Sequence, residues 1–106
     1  MSAFSTIEEQ AAFSTEKMAK CNVFDSEHMF CDVYCFEPGQ VQKPHAHAGS
    51  DKVYYVLEGA VDIEIGDETR RVEVGGLAHA APGVSHGASN PGPERAKVLV
   101  FMSPKP

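Results

Sequence analysis

Residues 52–76, KVYYVLEGAVDIEIGDETRRVEVGG, read as three short strands joined by tight turns. Lys52–Leu57 is dominated by β-branched and aromatic residues and stops at Glu58-Gly59. Ala60–Ile65 alternates strictly, with Val61, Ile63 and Ile65 on one face and Asp62 and Glu64 on the other. That period of two marks a strand with one buried side. Gly66-Asp67-Glu68 makes the next turn. Thr69–Val74 follows, with Val72 and Val74 facing one way, and Gly75-Gly76 turns the chain again.

The same pattern extends outward in both directions. On the C-terminal side, Leu77–Ala81 is a short strand ending before Pro82-Gly83. Asn90-Pro91-Gly92-Pro93 forms a rigid turn. Ala96–Met102 then places Val98, Val100 and Met102 on one face and Leu99 and Phe101 on the other. On the N-terminal side, His28–Glu37 is rich in strand-forming residues and stops at Pro38-Gly39, and Lys20–Phe24 is a further candidate. Helix signals are confined to the first twenty residues. Ser5 or Thr6 can cap a turn that carries Glu8 and Glu9, and Ser14-Thr15-Glu16-Lys17 repeats the signal. Short strands broken by Gly and Pro indicate an all-β sandwich or barrel. Residues 1–27 are expected as a partly helical extension packed on a barrel of residues 28–104.

Composition narrows the function classes. The chain has 106 residues, about one domain, and a net charge of −6 from 15 acidic and 9 basic residues. No basic cluster is present, which argues against nucleic acid and against an anionic membrane surface. No apolar run approaches the roughly 20 residues needed to span a bilayer. Met1 to Gln10 carries neither a basic nor an apolar run, so the expected location is the cytoplasm. Cys21, Cys31 and Cys35 lack a CxxC spacing and are expected as free thiols behaving as small hydrophobes, with Cys31 and Cys35 on one face. A core this small is commonly completed by a second subunit, so a homodimer is expected.

His45-Ala46-His47 places two imidazoles two residues apart, on one side of an extended segment, where both can reach one metal ion. Gly39 lies six residues before His45, and Gly59 closes the following strand. Further on come Gly75, Ala81, Gly83, His86 and Asn90. These spacings resemble the two motifs of the cupin superfamily, G-x5-H-x-H-x3-4-E-x6-G and G-x5-P-x-G-x2-H-x3-N. All positions match at the right separations except Lys52, which stands where the first motif has Glu, and Ala81, which stands where the second has Pro. The resemblance covers roughly residues 30–102. It is to the small, single-domain, RmlC-like type 2 conserved-barrel cupins.

The resemblance implies a jelly-roll barrel, or double-stranded β-helix, with a metal site inside. His45, His47 and His86 carry over as ligands, and the carboxylate ligand does not. Three imidazoles suit iron, manganese, nickel, copper or zinc and leave positions open for a small molecule. Lys52 can repel the metal, sit neutral and act as a base, or anchor an anionic substrate or enolate. If position 52 faces inward, so do Tyr54 and Val56, and Val98, Val100, Met102 and His79 are expected to join them as pocket lining. His28 and the carboxylates Glu37, Glu58, Asp62, Glu64 and Glu73 read as solvated surface, and Asp51 as a surface partner. Three functions stay open: a metal-dependent enzyme of dioxygenase or isomerase type on a small organic substrate, a non-enzymatic binder or sensor of small molecules, and a structural dimer.

Overall fold

The alternation read from the sequence builds two antiparallel sheets. The computed structural model describes residues 2–106, so Met1, the first residue of the expected extension, lies outside it. One sheet has five strands: β1 (Ala19–Asp25), β2 (Phe30–Phe36), β9 (Ala96–Ser103), β4 (Asp51–Glu58) and β7 (Leu77–Ala80), in that spatial order. The other has four: β3 (Val41–His45), β8 (His86–Ser89), β5 (Ala60–Ile65) and β6 (Glu68–Glu73). The two inner faces close on one core. Tyr34, Phe36, Tyr54, Val56, Val98 and Val100 come from the larger sheet, and Val61, Ile63 and Ala88 from the smaller. Period-two patterning assigns these residues inward, and burying them supplies most of the driving force for closure.

The inward and outward assignments for β4, β5 and β9 hold. Lys52, Tyr54 and Val56 are buried, whereas Tyr55 faces outward. On β6 only Val72 packs against the core; Val74 lies beyond the strand and is exposed. Thr6 caps the one helix among the described residues, α1 (Ile7–Gln10), by accepting from the Glu9 N–H at 3.1 Å. The second start signal forms no helix. There the Ser14 hydroxyl accepts from the Glu16 N–H at 3.2 Å and closes a local turn instead. The expected boundary at residue 28 falls inside the five-stranded sheet, because β1 pairs with β2 from Ala19↔Cys35 to Asp25↔Phe30.

On the face of β2 turned away from the core, Cys31, Val33 and Cys35 are buried, and the three cysteines are free thiols. The Cys21 thiol donates to the Ala12 carbonyl at 3.4 Å, so the N-terminal segment lies over this side. Burial pushes the Cys35 thiol up to about 11, which keeps it protonated and unreactive.

Candidate metal centre and its cavity

β3 and β8 lie side by side and bring the two halves of the site together, with His45 directly opposite His86. Gly87 makes this approach possible. A Cβ there would sit 2.9 Å from the Gln42 carbonyl oxygen and 3.0 Å from the Pro44 nitrogen. β3 is irregular between Gln42 and His45 and ends at His45, so His47 stands just beyond the strand rather than within it. The three rings nevertheless converge. Their centroids are 4.6 Å apart for His45 and His86, 4.9 Å for His45 and His47, and 5.5 Å for His47 and His86.

One nitrogen from each ring lies within 4.8 Å of the other two, so the trio could hold a metal ion. Tetrahedral bonds of about 2.1 Å set such nitrogens about 3.4 Å apart, which the rings reach by closing in by up to about 1.4 Å. Hydrogen bonding leaves the required lone pairs free. His45 Nδ1–H donates to the Lys43 carbonyl at 2.9 Å, and His86 Nδ1–H donates to the Val84 carbonyl at 3.0 Å. In the neutral tautomer that these bonds select, Nε2 carries the lone pair in both rings, and backbone carbonyls orient the ring as they do around metal sites. His86 Nε2 is buried without a hydrogen-bond partner, a cost that a metal bond removes.

Electrostatics favour the neutral form of His86 and His47. Burial first, and then the charges of Lys52, His45 and His47, push His86 down to about 4, against the opposing pull of the Val84 carbonyl. His47 is also lowered, chiefly by burial and then by His45, Lys52 and Lys20. Metal binding requires unprotonated imidazole, so neither ring must first lose a proton at neutral pH.

A cavity of about 970 Å³ opens in front of the histidines. His45 and His47 form part of its wall and Met102 another part, and Lys52 reaches into it. Lys52 is 1 % exposed. Its ammonium donates to the Tyr34 hydroxyl oxygen at 3.1 Å and lies 5.1 Å from the centres of both the Tyr34 and Tyr54 rings. Gln42 Nε2–H donates to the same Tyr34 oxygen at 3.1 Å, and Tyr54 O–H donates to Gln42 Oε1 at 3.0 Å. Burial, reinforced by the Lys20 charge and opposed by Asp32, pulls the Lys52 ammonium down to about 7. Burial raises the Tyr34 hydroxyl, which stays protonated.

Of the expected lining, Met102 reaches the cavity, while Tyr54, Val56, Val98 and Val100 fill the core behind it. His79 does not line it. It stands opposite Val53, an outward position of β4, and its Nε2 meets Asp51 at 2.7 Å on the outer surface. A shift of one residue in the expected facing of β7 separates the two placements. Tyr34, Gln42, Lys20 and Asp32 escaped the sequence reading. Tyr34 sits at an inward position of β2 and could have been found by alternation. Gln42 carries no local signal, because its partners Tyr34 and Tyr54 stand on β2 and β4 of the opposite sheet. Asn90 of the second motif has a turn-building role. It donates to the Phe36 and Glu94 carbonyls at 3.3 and 2.8 Å and accepts from the Gly92 N–H at 2.9 Å.

Residues 32–102 match the family described as cupin domain. The chain belongs to the cupin family. This cupin is 32 % identical, over 98 % of its length, to an uncharacterized protein of Streptomyces coelicolor, 97 % of which is covered. Among solved structures, TT1209 from Thermus thermophilus superposes with a TM-score of 0.94 at 44 % identity, over 97 % of this chain and 98 % of that one. An uncharacterized conserved protein with a double-stranded β-helix domain from Klebsiella pneumoniae gives 0.92 at 25 % identity, over 98 % and 91 %. The fold expected from the motif spacing is thus the fold observed, with the same three histidines gathered at its opening.

Proposed function

We propose that this cupin holds a divalent transition metal (iron, manganese, nickel, copper or zinc) on His45, His47 and His86 and acts on a small organic molecule in the adjoining cavity. The reaction is of dioxygenase or isomerase type. The supporting observation is the buried, unpartnered Nε2 of His86 turned toward two further imidazoles. A bound metal supplies Lewis acidity and a template for the substrate. The chain's own residues do the rest. The Lys43 and Val84 carbonyls hold the His45 and His86 rings in one tautomer. Lys52, fixed by the Tyr34 oxygen, meets an anionic group or a developing enolate. Met102 and Phe30 give the cavity an apolar wall that excludes water from part of the substrate.

A second reading, a non-enzymatic small-molecule binder or sensor, draws support from Lys52, a cation at the place of the family's carboxylate. Free thiols suit a reducing, cytoplasmic setting in either case. The test is the transition-metal content of protein purified without a nickel column, compared with His86→Ala. About one metal per chain, lost in the variant, is the expected result. Equal metal content in the two would refute the assignment. Small-molecule binding that survives chelation with no turnover in the metal-loaded protein would favour the second reading.

A further inference from the structure

The six lysines of the chain divide into two groups. Lys97 and Lys105 are paired, with Glu58 at 3.3 Å and Asp25 at 2.6 Å. Lys17, Lys20, Lys43 and Lys52 all line the cavity in front of the histidines. Among the described residues, none of these four forms an ion pair. Asp32 is the one carboxylate in the cavity wall, and it accepts a hydrogen bond from Asn22 Nδ2 at 2.9 Å rather than from a lysine. The wall thus carries a formal +3 in a chain whose net charge is −6. The missing counter-ions do not reflect a shortage, since the chain has 15 carboxylates.

A concave surface of one sign, backed by apolar walls, concentrates ions of the other sign. A buried ammonium without an ion-pair contact costs stability unless a ligand brings the negative charge. The cationic groups are all lysines. No arginine lines the cavity, and the one helix is a four-residue turn, so the usual phosphate devices of arginine forks and helix N-termini are missing. We propose that the cavity takes a small organic carboxylate, its anionic end held by Lys52 together with Lys20 and Lys43, and the remainder of the molecule facing His45 and His47. This names the substrate class of the site described above and rests on the reading of that cavity as the working site.

The experiment is calorimetric titration of the full chain, stripped of metal with a chelator, at fixed ionic strength. The probes are malonate, tartrate and benzoate, each compared with its amide. At least one carboxylate is expected to bind at least about tenfold more tightly than its amide, and less tightly as sodium chloride rises. Lys52→Met is expected to weaken that binding roughly tenfold, and Lys20→Gln and Lys43→Gln a few-fold each. Lys97→Gln, outside the cavity, leaves it unchanged. Should Lys52→Met fail to fold, the two mouth variants decide. No carboxylate preferred over its amide, or wild-type affinity in all the cavity variants, would overturn the proposal. Metal content is measured separately on the same preparations as purified, before they are stripped. Carboxylate binding in a chain that holds no metal therefore counts against the metal centre alone, and the reverse result counts against the carboxylate site alone.

Discussion

Lys52 is the residue on which the proposed chemistry of the cavity turns. Its folded pKa of about 7 lies below the ordinary 10.5, so between these values the unfolded chain binds more protons than the folded one. Stability from this group therefore rises with pH across that window, and the cost of burying the charge is fully present below about 7. Lys52→Met is expected to stabilise the protein by on the order of 3 kcal/mol at pH 6, and by progressively less toward pH 10. Denaturant unfolding at the two pH values checks it. Tyr34→Phe acts the other way. It leaves Gln42 Nε2–H and the Lys52 ammonium without their shared acceptor, and is expected to cost about 1–3 kcal/mol in the same assay. At this scale the histidines and Lys52 could be read from motif spacing, because each motif is local. The Tyr34–Gln42–Tyr54 network could not, since β2 and β4 belong to one sheet and β3 to the other, and the packing of the two sheets brings its members together.

Strands show where patterning succeeds and where it stops. β4, β5 and β9 carry alternating large apolar residues, so their faces follow from sequence. β3 and β8, which carry His45 and His86, are short and composed mostly of Gln, Lys, Pro, Gly, Ala and Ser, and period two gives no signal there. Pro44 lies in the irregular stretch of β3, where a missing N–H would otherwise interrupt the ladder. The close approach of these strands depends on Gly87. Gly87→Ala is expected to force them apart at the cost of about 1–3 kcal/mol. Because His45 and His86 lie opposite each other one residue away, metal affinity should fall as well. Thermal unfolding with and without added zinc separates the two effects. A variant that loses stability and keeps full zinc stabilisation would show that ligand placement is independent of the glycine.

The whole molecule combines an apolar core, an N-terminal segment laid over the cysteine-bearing face, and a lysine-lined cavity leading to the three imidazoles. The outer face of the five-stranded sheet keeps Tyr55 and Leu77 exposed side by side, at 36 % and 66 %. A homodimer buries such a patch. Light scattering is expected to give twice the chain mass, and a lower value for Leu77→Asp; a monomer at all concentrations would contradict this. Architecture was readable from the sequence because turns and alternation recur along the chain. Which histidines face the cavity was settled only by sheet register, as the outward turn of His79 shows. The proposed metal centre is most directly probed by titrating metal-free protein with cobalt(II) and following the visible d–d bands. Wild-type protein should saturate at about one cobalt per chain with bands of imidazole ligation, and His86→Ala should lose them. Indistinguishable spectra and stoichiometry in the two proteins would contradict a centre built on these three histidines.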